Sequence, residues 1–226
     1  MGDYKSANSN IDKLLKLEPN NQYIWALKST VLKLTDLEAY EQLMNIQQLL
    51  GYTEIELCSG YTSLADFNEQ LMSVIATLHN TVVHPLQQSG VGGTQTPGYL
   101  FNQKHKVIQD LKVALTNTAK SQFAKLAQTS PSDHPVLKRY AHNIELVTAW
   151  SMWLKDGGFH RPHCHPKGWY SSAYYVQTPP SICPESRAGN LVFGEPGIFT
   201  YDKVEPDCAF TPKMGYLALF PSFYWH

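Results

Sequence analysis

Apolar residues recur at helical spacing through the first fifty positions. Ala7, Ile11, Leu14 and Leu15 fall on one face of a helix, which Pro19 ends within the turn Glu18-Pro-Asn-Asn. A second helix is predicted from near Gln22 and carries Trp25, Leu27, Val31, Leu32 and Leu34. A third runs through Tyr40, Leu43, Ile46, Leu49 and Leu50, with Gly51 placed as its C-cap. Positions 52–63 read as a linker or short strand. Ser63 and Asp66 then have the spacing of a capping box, and Phe67, Leu71, Val74, Ile75 and Leu78 line one face of a further helix. The stretch from Gln88 to Gly98 is predicted to be a tight glycine-rich loop at the surface or at the rim of a site. It makes a weak phosphate cradle, because no Lys-Ser/Thr pair and no helix directly follow it. A long helix spans roughly 102–128, with Val107, Ile108, Leu111, Leu115 and Phe123 inward.

The period changes at Asn143. Ile144, Leu146, Thr148, Trp150, Met152 and Leu154 alternate with their neighbours, which is strand spacing. Tyr170 to Gln177, Asn190 to Phe193 and Tyr216 to Phe220 are further short β-rich runs separated by Gly and Pro. The order of elements predicts an α+β chain, in which short strands form a sandwich or barrel of jelly-roll type and the helices of 63–128 pack outside it.

Composition narrows the function classes. The chain has 226 residues with 43% hydrophobic content, enough for one substantial core plus a smaller appendage. Lys and Arg number 18 against 19 Asp and Glu, a formal charge of −1, so nothing favours nucleic acid or an anionic membrane as partner. The longest apolar runs fall far short of the roughly 18–20 residues that span a bilayer, and residues 1–15 lack the apolar segment of a secretory signal. Cys58, Cys164, Cys183 and Cys208 are widely spaced with no CxxC pair, which suits unpaired thiols in a reducing cytoplasm.

The candidate chemistry is in Gly157-Gly-Phe-His-Arg-Pro-His-Cys-His-Pro166. Three of the nine histidines fall at 160, 163 and 165, directly after a strand. In an extended segment residues i and i+2 point to one side, so His163 and His165 can aim two imidazoles at one ion while Cys164 faces away. Imidazole suits iron, zinc, copper and nickel. A third ligand must come from elsewhere, and Phe220-Pro-Ser-Phe-Tyr-Trp-His226 supplies a histidine at the end of another strand.

Two resemblances follow from these residues. Gly2-Asp-Tyr4, Ala7, Ile11, Pro19 and Trp25 resemble about one and a half tetratricopeptide repeats, entered in mid-repeat; such helix pairs need neighbours to bury their faces and commonly bind a protein or peptide partner. The strings GGFHRPHCHPKGWYSSAYYV, GNLVFGEPG and MGYLALFPSFYWH resemble the 2-oxoglutarate- and iron-dependent oxygenases found behind such repeats in bacteria. That resemblance divides the chain into a helical segment over 1–51 and an oxygenase-like domain over 52–226. It implies a double-stranded β-helix that binds Fe(II) through His163, His165 and His226 and uses 2-oxoglutarate as cosubstrate to hydroxylate a C–H bond. It also implies that Tyr174 hydrogen-bonds 2-oxoglutarate and that Trp153 walls the pocket.

The chain departs from this family in two ways. Position 165 is His where most such oxygenases carry Asp or Glu, which leaves one more positive charge on the site. Glu195 and Asp156 are the carboxylates that could complete the shell, and His160 could hold an imidazole or substrate from outside it. The chain also ends at His226, before the strand whose arginine binds the far carboxylate of 2-oxoglutarate in the family. The expectation is therefore a piece of a longer protein that turns over 2-oxoglutarate poorly as written. Two other readings stay open: a catalytically silent interaction module, and a three-histidine cupin-like dioxygenase that does not use 2-oxoglutarate.

Overall fold

A computed structural model of the chain describes residues 2–79, 89–126, 133–180, 182 and 187–226. Gln88, the expected helix end at 128, and Cys183 lie outside them. Helices α1 (Tyr4–Leu17) and α2 (Gln22–Thr35) each start on a side-chain cap: Asp3 accepts the Ser6 N–H and Asn21 the Tyr23 N–H. They pack together through Ile11, Ile24 and Val31. The single third helix expected from Tyr40 to Leu50 is two pieces, α3 (Leu37–Met44) and α4 (Ile46–Leu49). Asn45 between them adopts the left-handed conformation, φ 38°. Asparagine tolerates that region, and a left-handed residue closes a helix. Apolar spacing runs through the break because both pieces face the same core.

The three-stranded sheet has the order β1-β7-β4, all antiparallel, from β1 (Gly51–Glu54), β4 (Tyr170–Tyr174) and β7 (Tyr216–Pro221). The central strand reads Tyr-Leu-Ala-Leu-Phe-Pro, nearly all apolar, as a strand covered on both faces must be. Register pairs Ser171 with Phe220 and Tyr174 with Leu217, so alternation divides the sheet cleanly. Tyr170, Tyr174, Leu217 and Leu219 face α5 (Leu64–Leu78) and α6 (Lys106–Leu126), where Tyr170 meets Phe123. Tyr52, Ala218 and Phe220 face the second sheet, β5 (Leu191–Phe193) with β6 (Cys208–Phe210); Phe220 packs on Phe193 at 5.0 Å and Tyr52 stacks on Phe210 at 5.0 Å.

The glycine-rich stretch is a strand, not the loop expected. β2 (Gly90–Gln95) pairs with β3 (Met152–His160) across a bulge between Val91 and Gly93. A Cβ at Gly158 would overlap the Gly92 carbonyl, so these glycines let two backbones cross closely. The alternation from Asn143 is only partly realised as a ladder, which begins at Met152 and runs on to His160. One hydrophobic core spans position 51, joining Ala26, Leu32, Tyr40 and Met44 to Phe193, Leu217, Phe220 and Trp225. Helix and sheet thus form an α+β molecule, and no helix among the described residues is long and apolar enough to cross a membrane.

Candidate metal centre

His163 and His165 lie just beyond β3, and His226 lies just beyond β7. The two segments meet as a short backbone pair: His163 N–H donates to His226 O (2.9 Å), His226 N–H to His163 O (3.0 Å), and His165 N–H to Ser222 O (2.9 Å). Close approach of the neighbouring loop depends on glycine, since a Cβ at Gly197 would overlap the Pro162 carbonyl. This pairing brings one ring nitrogen of each of the three histidines within 4.8 Å of the others. Nε2 of His165 stands 3.2 Å from Nε2 of His226. Two nitrogens sharing an ion at about 2.1 Å, with angles of about 90–109°, would be roughly 3.0–3.4 Å apart.

The tautomers suit the same purpose. His163 Nδ1 lies 2.9 Å from Arg161 O, and His226 Nδ1 lies 2.9 Å from Tyr224 O. A carbonyl only accepts, so each Nδ1 carries the proton and each Nε2 keeps its lone pair. Burial pushes all three imidazoles toward the neutral form that a metal requires. His165 falls to about 4, through desolvation and then the neighbouring His163 and His160. His226 is driven well below its ordinary value, chiefly by desolvation behind Phe220 and Phe193. His163 is lowered more simply by burial. Three neutral nitrogen donors, two of them with lone pairs oriented by a carbonyl, fit a divalent first-row metal ion.

The other predicted residues fall around this centre in different ways. His160 stacks toward His163 at 5.8 Å and bonds Ser89 Oγ at 2.9 Å, and that hydroxyl is 3.4 Å from His163 Nε2. Glu195 and Asp156 are exposed, and no carboxylate joins the cluster among the described residues. Trp153 sits edge-on to His79 at 5.8 Å, whereas Trp150 lies beside His165 at 6.1 Å. Alternation separates the two: Trp150 keeps the phase of Ile144, Leu146 and Met152, and Trp153, three residues on, falls on the opposite face. Tyr174 is not brought to the histidines. It occupies the helix-facing side of the sheet, and its hydroxyl donates to Asn68 Oδ1 at 2.6 Å.

Sequence reading missed Ser89, Trp150 and Trp225 as neighbours of the site. Only Trp225 carried a signal, its position next to His226. No curated protein and no solved structure matches the chain. Residues 148–226, the stretch that carries all three histidines, match the model of the family described as "Putative 2OG-Fe(II) oxygenase", and this part of the chain is similar to those oxygenases.

Proposed function

We propose that the chain is a non-haem Fe(II)- and 2-oxoglutarate-dependent dioxygenase whose metal ligands are His163, His165 and His226. The carrying observation is the convergence of three neutral imidazoles, with a 3.2 Å gap between two Nε2 atoms, inside the segment that matches the oxygenase family. The facing of β1-β7-β4 against β5-β6 supports a double-stranded β-helix, and the α1–α2 pair supports a tetratricopeptide-like segment. Exposed Leu14 and Leu17 on α1, with Leu37 at the start of α3, suit a protein or peptide partner.

In this reading the chain's residues divide the labour. The three Nε2 atoms hold the ion, while Arg161 O and Tyr224 O fix the His163 and His226 rings by holding their Nδ1 protons. Phe220 and Phe193 keep water from behind His226. Trp150, 40% exposed, stands beside His165 and gives substrate an apolar edge to pack on. Iron with 2-oxoglutarate, when bound, supplies O₂ activation coupled to oxidative decarboxylation to succinate.

The test is anaerobic titration of the 226-residue chain with Fe(II), followed by 2-oxoglutarate. Saturable binding of one Fe(II), and a charge-transfer absorption on adding the 2-oxo acid, are the expected results. A second reading, a three-histidine dioxygenase that does not use 2-oxoglutarate, is favoured by the lack of a carboxylate in the cluster among the described residues. His165→Asp separates the two. In the proposed enzyme the variant retains or tightens Fe(II) binding, because the anionic ligand offsets cation charge, and it still takes up 2-oxoglutarate. Iron binding with no response to 2-oxoglutarate in either protein would favour the second reading.

A further inference from the structure

β7 ends at Pro221, and residues 222–226 lie beyond its pairing with β1 and β4. On one side His226 is held by its backbone pair with His163. On the other side, the two residues before it reach into the N-terminal helices. The Tyr224 hydroxyl donates to the carbonyl of Met44, the last residue of α3. The Trp225 indole N–H is shared between Ala26 O (3.1 Å) and Thr30 Oγ1 (2.9 Å) of α2. Thr30 is itself oriented, since its hydroxyl donates to Ala26 O at 3.0 Å. Tyr23 packs edge-on against the Trp225 ring at 6.0 Å, and Trp225 is only 4% exposed. The same helix also grips the other ligand segment: Gln22 N–H donates to the carbonyl of Pro166, one residue past His165. Helix α2 therefore touches both pieces of chain that carry ligands.

We infer that Trp225 is a positioning residue for the metal centre, and that α2, through Thr30, is part of that centre's scaffold. The inference rests on the three histidines being the metal ligands. Its physical basis is local. A buried indole N–H with two fixed acceptors allows the following residue one placement, and His226 Nε2 must fall within a few tenths of an ångström of a position that His163 and His165 also share. Loosening Trp225 frees the end that carries the third ligand while leaving its imidazole intact.

The test uses Co(II) alone as probe, on the full chain, reading affinity and the ligand-field spectrum. Trp225→Phe removes the indole donor, and Thr30→Val removes one acceptor at nearly constant shape. Thr30→Ser restores the hydroxyl. Thr118→Val deletes another buried hydroxyl, one that accepts the Glu56 N–H at 2.8 Å away from the histidines. Trp225→Phe is expected to weaken Co(II) binding about tenfold, the size of outer-shell effects on metal affinity. Thr30→Val is expected to weaken it by roughly threefold, with a shifted spectrum. Thr30→Ser and Thr118→Val should stay within about twofold of the parent, whatever they do to the unfolding midpoint. If Trp225→Phe does not fold, the Thr30 pair decides. Parent-like Co(II) binding in Thr30→Val, or equal losses in Thr30→Val and Thr118→Val, overturns the inference and leaves the ligand assignment standing. A parent chain that binds no Co(II) removes the ligand assignment, and the inference with it.

Discussion

The two arms of the candidate metal centre are built differently. His226 follows a central strand covered on both faces, and Phe220, Phe223, Tyr224 and Trp225 around it are almost fully buried. His163 and His165 follow β3, whose ladder partner is the glycine-rich β2 and whose Trp153, Leu154 and Phe159 are substantially exposed. One arm is a fixed post in the core; the other is a rim held to it by a few backbone hydrogen bonds. If the three histidines are the ligands proposed above, His226 is positioned by folding, and His163 and His165 are the pair that a metal would complete. A site assembled this way can keep one precise ligand while the open arm admits substrate.

Removing single ligands tests that contrast most strongly. His226→Ala and His163→Ala should each weaken Fe(II) or Co(II) binding by more than about 100-fold, because outer-shell partners alone are worth about 10–100-fold. Their effects on apo-protein stability should differ. His226→Ala deletes a ring packed on Phe220 at 4.6 Å, leaves a cavity, and should cost about 2–4 kcal/mol. His163→Ala at the rim should cost no more than about 1 kcal/mol. Urea unfolding of the metal-free proteins measures both; equal losses would mean that the arms are not unequal.

Much of this was legible in the sequence, for identifiable reasons. The i, i+2 spacing of His163 and His165 forces one-sided presentation in any extended segment, and the nearly unbroken apolar run before His226 marks a strand covered on both faces. The glycine-rich stretch misled because glycine signals a turn when read locally. Only the partner strand shows that Gly92 and Gly158 permit a close backbone crossing. Alternation already puts Trp150 and Trp153 on opposite faces, but which face meets the histidines is decided by tertiary packing, and it is that of Trp150. The break at Asn45 was hidden because apolar spacing continues through it. The grip of α2 on Trp225 joins residues 195 apart in the chain, a pairing that no local pattern encodes.

A second way to sharpen the comparison is pH. All three histidines have folded pKa values depressed below the ordinary value of about 6.5, His165 to about 4. The unfolded chain therefore binds more protons below about pH 6.5, and stability is lost as the solution is acidified. The contribution is complete above about pH 6.5. It declines as the pH falls below that, for His165 down to about pH 4, with a slope approaching about 1.4 kcal/mol per pH unit for each histidine that charges only on unfolding. His165→Gln should flatten that slope in metal-free protein. Metal affinity should fall less between pH 7 and pH 6 than for solvent-exposed histidines, because all three rings resist protonation there. A loss of binding centred on pH 6.5 would show that the rings are solvated and the site is open on both arms.

The smallest expected effect on the site itself concerns the buried arm's own two faces. The family resemblance implies that Tyr174 holds 2-oxoglutarate, but register puts Tyr174 opposite Leu217, on the helix side of the sheet, while the ring that packs on His226 is Phe220, on the other side. The Tyr174 hydroxyl already has a partner in Asn68 Oδ1, and Asn68 is 2% exposed with its Nδ2 unpaired. Tyr174→Phe would leave that amide without any partner. The expected cost is about 1–3 kcal/mol of stability, the desolvation penalty of a stranded buried polar group. Metal affinity should stay unchanged, and 2-oxoglutarate affinity, measured on the Fe(II)-loaded chain, should stay within about twofold, since Tyr174 faces away from the histidines. Asn68→Leu combined with Tyr174→Phe should recover most of the stability, because removing both polar partners together relieves the stranded group. A loss of 2-oxoglutarate affinity of about tenfold, roughly 1.4 kcal/mol, with metal binding intact would place the cosubstrate on the helix-facing side. The division of β7 into a site face and a packing face would then be wrong.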